Sequence, residues 1–247
     1  MKAEVICKAE YIKTFLKGIG AIAESEAKLR FTDQGLKVTA VDPANVAMVH
    51  ATIDRTAMDV YSAPEEELVV GIDVARLHNM IKSVKSKDLL ELIVEDSKIK
   101  VRAGKMTYSV VLIDPNTIRK EPKIPELDLP VKVVLGLETF KQAIQLASKI
   151  DDSVIFRCDG EKFYIETKGD LETIRTVLGD SELIEFVKAE ARTKFSIEYL
   201  LEFCKAGGSL DVIEIKVGTD YPGIFSFRDS AVELMYVLAP RIENMEA

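Results

Sequence analysis

Apolar and polar positions along the chain change period in a fixed order, and they do so four times. A short apolar run gives way to apolar residues at helical spacing, then to alternating runs parted by turn residues. In the first instance residues 5–8 read as a strand, and Ile12, Phe15, Leu16, Ile19, Ile22 and Ala23 share one helical face within 11–24. Strands at 27–32, 36–41 and 47–53 follow, with the turn Asp33-Gln34-Gly35 between the first two. The second instance places a strand at 67–70, a helix over 73–85 carrying Val74, Leu77, Ile81 and Val84, and strands at 89–95, 98–103 and 106–113. The third has a strand at 131–135, a helix with Leu137, Phe140, Ile144 and Ala147, and strands at 153–158, 162–168 and 172–178, the first two joined by Asp159-Gly160, a strong hairpin signal. The fourth runs from a strand at 190–195 through a helix over 196–206 to strands at 212–217, 224–228 and 233–238.

Helix starts near 11, 72, 137 and 196 give a repeat of about 60 residues, longer than common solenoid periods and the size of a small supersecondary unit. Midway, residues 115–130 hold four of the chain's eight prolines and can form neither a helix nor a central strand. The pattern therefore predicts an N-terminal domain at 1–114, a connector at 115–130 and a C-terminal domain at 131–247. The expected class is α+β: two similar domains, each of two strand-helix-three-strand repeats, with helices on one face and antiparallel sheets on the other.

Charge changes the picture only through its distribution. The chain carries 33 Lys and Arg against 41 Asp and Glu, a net charge of −8, which as a bulk property argues against nucleic acid. A local basic lining is nonetheless enough to hold phosphates. Opposite the apolar stripes lie Lys13, Lys17, Gly20 and Glu24 on the first helix, and Ala75, Asn79, Lys82 and Ser86 on the second. The third presents Glu138, Gln142, Gln145 and Lys149, and the fourth Glu198, Glu202 and Lys205. Every predicted helix thus turns lysine away from its sheet.

Catalytic chemistry finds no foothold. His50 and His78 lack ligand-like spacing, so neither a zinc site nor a histidine-based active site is expected. Gly18-Ile19-Gly20 lies within a helical pattern, without the strand-to-helix setting of a phosphate loop. Asp151-Asp152 reads as a turn. Cys7, Cys158 and Cys204 are odd in number and widely spaced, as expected of reduced, buried thiols. No cofactor or metal is expected. No apolar run approaches the ~18 residues of a membrane span, and the N-terminus is not built like a signal peptide, so a cytoplasmic protein is expected.

Three collinear segments resemble one family. The sequence Tyr236-Val237-Leu238-Ala239-Pro240-Arg241-Ile242-Glu243 is similar to the terminal segment of sliding clamps of the proliferating cell nuclear antigen family. So is Ala40-Val41-Asp42-Pro43-Ala44-Asn45-Val46 after the first hairpin, and Leu112-Ile113-Asp114 leads into a linker whose form is closer to archaeal members. The four-fold repeat extends the resemblance over the whole chain. It implies the DNA clamp fold and a processivity factor: a homotrimeric ring, closed head to tail around duplex DNA without sequence specificity. It also implies that DNA polymerase, clamp loader, flap endonuclease and DNA ligase are held through short peptides.

By position, the resemblance makes Lys13, Lys17, Lys82, Lys149 and Lys205 the DNA-facing set. It makes Val41, Asn45, Val46, Ile124, Pro222, Leu238, Ala239 and Pro240 the partner-peptide pocket. The subunit contact is expected between edge strands at 105–113 and 172–178, with Thr107, Tyr108 and Val110 facing Thr173, Arg175 and Val177. Gln142, Gln145 and Glu198 stand where family members often carry arginine, which implies a loose, sliding fit. Two other readings of the repeat fold are a protein-interaction scaffold with no DNA role and an enzyme with dispersed carboxylate ligands.

Overall fold

The computed structural model describes residues 2–242, which fall into two units: 2–124 with 228–234, and 125–227 with 235–242. The first contains β1 (Ala3–Lys8), α1 (Ala9–Gly20), β2 (Glu26–Thr32), β3 (Gly35–Val41), β4 (Ala47–Asp54) and β5 (Val60–Ser62). It continues with β6 (Leu68–Asp73), α2 (Val74–Ile81), β7 (Leu89–Val94), β8 (Lys98–Ala103) and β9 (Met106–Val111). The second contains β10 (Val131–Gly136), α3 (Leu137–Ala147), β11 (Ser153–Asp159), β12 (Phe163–Lys168), β13 (Thr173–Leu178) and β14 (Glu185–Val187). There follow β15 (Glu190–Ser196), α4 (Ile197–Ala206), β16 (Val212–Val217), β17 (Gly223–Arg228) and β18 (Val232–Leu238), with Arg228 of β17 and residues 232–234 of β18 belonging to the first unit. The α+β class and the four strand-helix-hairpin repeats are as the sequence predicts; the short strands β5 and β14 are additional.

Repeats are not self-contained, however. In the first unit β1 pairs with β7 of the second repeat, in the sheet β5-β1-β7-β8-β9, while β6 pairs back onto β2, beside β3 and β4. The second unit repeats the exchange: β15 pairs with β11 beside β12 and β13, and β10 pairs with β16. All these pairings are antiparallel. Each helix therefore crosses from one sheet to another, and α1 packs beside α2 as α3 packs beside α4.

The same exchange caps the helices. An α-helix leaves its first amides without intrahelical acceptors, and side-chain oxygens usually satisfy them. Here Ala9 N and Glu10 N donate to the carbonyls of Asp88 (2.8 Å) and Ser86 (3.0 Å), in the loop that follows α2. In return Val74 N and Ala75 N donate to Ser25 (3.3 Å) and Glu24 (3.0 Å), in the loop that follows α1. Leu137 N reaches Asp211 O and Ile197 N reaches Asp152 O in the same reciprocal way. Only α2 adds a side-chain cap, Asp73 accepting from Arg76 N.

Core chemistry differs between the units. The first is mainly aliphatic: Ile12, Leu16 and Ile19 of α1 and Leu77 and Ile81 of α2 are buried, as are Leu29, Leu36, Leu92 and Ile99 of the sheets. Gly18 faces Leu234 so closely that a Cβ would collide with its side chain, which explains a glycine inside a helix. The second is aromatic. Phe156 meets Phe140, Phe163, Phe195 and Phe225 edge-on at centroid distances of 5.5 to 6.1 Å, and Phe203 stacks on Tyr236 at 4.1 Å. Because Phe156 contacts four rings, Phe156→Ala should cost about 3–5 kcal/mol. Denaturant melts of the full chain should show this as a lowered midpoint, and a loss below about 1 kcal/mol would contradict the packing described.

Candidate nucleic-acid and partner-binding surfaces

Lysines on the first unit's helix pair converge. Lys17 in the last turn of α1 and Lys82 just beyond α2 are exposed, while Lys13 is half-buried. Burial holds the pKa of His78 below its ordinary value, and the positive charges of Lys82, Lys17 and Lys13 add to the effect. Three of the five predicted DNA-facing lysines thus share one patch. Lys13 also serves the fold, because its Nζ donates to the carbonyls of Lys82 (3.2 Å) and Val84 and so closes the C-terminal end of α2.

The second unit's helix pair is more dilute. Lys149 is exposed just past α3, with Gln142 and Gln145 exposed on the helix itself. Lys205 of α4 pairs with Glu202 at 2.6 Å and Glu138 pairs with Lys141 at 3.4 Å. These exposed pairs are weakly held and can exchange for a phosphate.

Two strands end their sheets. β9 lies at one edge of the five-stranded sheet and β13 at one edge of the sheet it shares with β12, β11 and β15. Thr107 and Tyr108 are exposed on β9, as are Thr173, Arg175 and Val177 on β13. Val111, 72% exposed, and Val177, 43% exposed, put apolar surface on these edges. Val110 corrects the sequence reading: opposite Ile99, it is 3% exposed and belongs to its own core, leaving only its backbone at the edge. Arg175 is held in place, its guanidinium bonded to Glu166 and near the Tyr164 ring, on whose face Arg157 also lies at 3.8 Å.

The start of the connector is fastened to the first unit. Ile113 N donates to Gly71 O at 2.9 Å, and Ile118 is buried. A side chain at Gly71 would strike the Ile113 carbonyl and the Ile118 side chain. Arg119, which sequence reasoning did not single out, bridges to the turn between β3 and β4, reaching Asp42 O at 3.0 Å and Asn45 Oδ1 at 2.6 Å. That turn is itself built on Asp42, whose carboxylate accepts from the amides of Val46 (2.7 Å) and Ala47 (2.9 Å), with Asn45 at φ 58°. Arg30 clamps Glu121 through both carboxylate oxygens and also binds Glu67. The charged run Arg119-Lys120-Glu121 amid the prolines was the available signal.

Among the predicted pocket residues, Val41 and Val46 are half-buried, and Asn45 and Ile124 are exposed. A groove of about 590 Å³ runs from the end of α1 past Val41 to residues 118–122 of the connector. Ile124 lines a neighbouring groove with Lys28, Arg30 and Lys37. In the second unit Pro222, Ala239 and Pro240 are half-buried. Leu238 is a correction: it is fully buried, as the inward alternation of β18 dictates, and is core rather than pocket lining. Glu243, last residue of the C-terminal motif, lies outside the described residues.

Other chemistry is sparse. Cys7, Cys158 and Cys204 are buried and unpaired, with burial pushing the thiols of Cys7 and Cys204 up to about 12, too high to ionise at neutral pH. Asp152 pairs with Arg241 at 2.6 Å, and Asp151 accepts from Asp152 N and Ser153 Oγ, so both serve local structure. Among the described residues no group of three His, Cys, Asp or Glu could hold a metal ion, and no helix is long and apolar enough to cross a membrane.

A family model described as the N-terminal domain of proliferating cell nuclear antigen (PCNA) matches residues 3–108, and one described as the C-terminal domain matches 123–242. An Archaeoglobus fulgidus protein named DNA polymerase sliding clamp is 48% identical over 244 residues, with 98% of this chain and 99% of the relative covered. A Methanothrix thermoacetophila protein of the same name is 37% identical, covering 98% of this chain and 99% of the relative. Among solved structures, that of the C-terminal region of FEN-1 bound to A. fulgidus PCNA is similar at TM-score 0.94 and 48% identity, over 98% of this chain and 99% of that one. A PCNA2–PCNA3 complex from Sulfolobus tokodaii shares the fold at TM-score 0.85 and 24% identity, over 97% and 100%. On both halves of its length, the chain belongs to the PCNA family.

Proposed function

We propose that the chain is a DNA polymerase sliding clamp: three copies close head to tail around duplex DNA and tether replication and repair proteins. It acts in the cytoplasm as a processivity factor without catalysis of its own. The observation that carries this reading is the convergence of Lys13, Lys17 and Lys82 on one helix pair of a chain whose net charge is −8. In an acidic protein such a patch has a use where phosphates pass. Lysine contacts of this kind position a duplex without reading its bases.

Residues 1–114 and 131–247 serve as the two clamp domains, joined by the 115–130 connector. Retention then rests on closure. Lys149 and the Glu-paired Lys205 add little fixed charge, so ionic contacts stay loose enough for sliding, and topology supplies persistence. Closure uses the β9 edge of one copy against the β13 edge of the next, a heterologous contact that repeats around an axis and satisfies the unpaired backbone groups of both strands. Thr107, Tyr108, Thr173, Arg175 and Val177 are its side chains. Val41, Val46 and Ile124 form the first unit's share of the partner-peptide anchor, with Asn45 fixing the adjoining turn. The relative from A. fulgidus was solved with the C-terminal region of FEN-1, and that from S. tokodaii as a complex of two PCNA chains. Polymerase, clamp loader, flap endonuclease and ligase are the corresponding partners here.

Lys17→Ala/Lys82→Ala/Lys149→Ala should weaken DNA binding and flatten its salt dependence by about 2 to 3 in log–log slope, with the melting temperature unchanged. Lys13 is left in place because its replacement also uncaps α2. An unaltered slope would remove these lysines from the DNA-facing set. Val177→Asp should convert a trimer into monomers in light scattering at micromolar concentration while circular dichroism stays the same; a persisting trimer would exclude the β13 edge.

A further inference from the structure

The groove lined by Ile124 is net positive in a chain whose net charge is −8. It is lined by Lys28 and Arg30 of β2, Lys37 and Thr39 of β3, Glu67, and Lys120, Glu121, Pro122 and Ile124 of the connector. Its two carboxylates are both engaged by Arg30, Glu121 through both oxygens and Glu67 through one. Lys28, Lys37 and Lys120 have no ion pair among the described residues. With four cations against two carboxylates, the groove carries an excess of two positive charges, in a protein whose acids outnumber its bases.

Mutual repulsion makes such a cluster mildly unfavourable on a sheet surface, and an added anion relieves it. The field is felt locally: His50, hydrogen-bonded to Thr39 at 2.8 Å, has its pKa pushed down to about 4 by burial and then by Lys37, so it stays neutral and adds no charge of its own. The basic stretch is also bounded. The adjoining groove shares Lys28, Lys120 and Glu121 with it and sets three acidic side chains against three basic ones, so the excess lies toward Arg30 and Lys37.

We propose that this groove receives an acidic flank of the partner peptide, two or three carboxylates placed beside the anchor and held by Lys28, Lys37 and Lys120. This rests on the anchor reading given above, because Ile124 lines the same groove. Backbone rigidity favours the role: Arg119 on Asp42 and Asn45, and Arg30 on Glu121, fix the connector that forms one wall. Carboxylates at the flank then select among partners that share the same apolar anchor.

The test uses two synthetic peptides built on one anchor, the FEN-1 C-terminal region solved on the A. fulgidus relative, carrying three glutamates on each flank in one and glutamines in the other. Calorimetry on the full chain should give the acidic peptide about three- to tenfold tighter binding at about 50 mM salt, an advantage that vanishes near 0.5 M. Lys28→Gln/Lys37→Gln/Lys120→Gln should erase that advantage and leave the glutamine peptide's affinity unchanged, which also shows that the variant is folded. Equal binding of the two peptides to the unmodified chain, or an advantage that survives in the triple variant, overturns the acidic-flank inference alone. Failure of both peptides to bind overturns the anchor reading and this inference with it.

Discussion

Reciprocal exchange of strands and caps between repeats is the constraint on which the structure depends. A single repeat has a helix whose first amides lack acceptors and a leading strand that pairs outside its own hairpin. The neighbouring repeat supplies both, as Asp88 and Ser86 do for α1 and as β7 does for β1. Leaving such groups buried and unpaired costs roughly 1–3 kcal/mol each, so half a unit cannot stand alone. The two helices are consequently forced side by side, and their outward faces become one surface rather than two.

That surface is where lysines collect. With α1 beside α2, lysines more than sixty positions apart in sequence act on the same histidine, and Lys13 both contributes charge and closes the end of α2. The same logic separates roles elsewhere. Edge strands β9 and β13 keep apolar and polar side chains outward, whereas the start of the connector is pinned by Ile118, Arg119 and Glu121 and offers shaped grooves.

Period and punctuation made much of this legible in the sequence. The helical faces around Phe15, Leu77 and Phe140, the hairpin at Asp159-Gly160 and the proline-rich connector follow from local chemistry. Strand exchange did not, because β1–β7 and β2–β6 pairing spans distant positions that alternation alone leaves equivalent. Three-residue strands such as β5 are too short to show a period. Site residues failed where burial decides: Leu238 and Val110 suit an apolar pocket or an edge equally well by residue type, and only packing shows both to be core. Arg30 and Arg119 escaped notice because their partners Glu121 and Asn45 lie more than seventy residues away.

Closure and ionic grip would hold the protein on DNA differently, and a topological assay separates them. The chain is loaded onto circular duplex DNA, washed in salt high enough to screen lysine–phosphate contacts, and then assayed for retention before and after a single linearising cut. A closed ring should stay on the circle through the wash and slide off once the ends are free. Equal retention on circular and linear DNA, or loss from both in the wash, would contradict it.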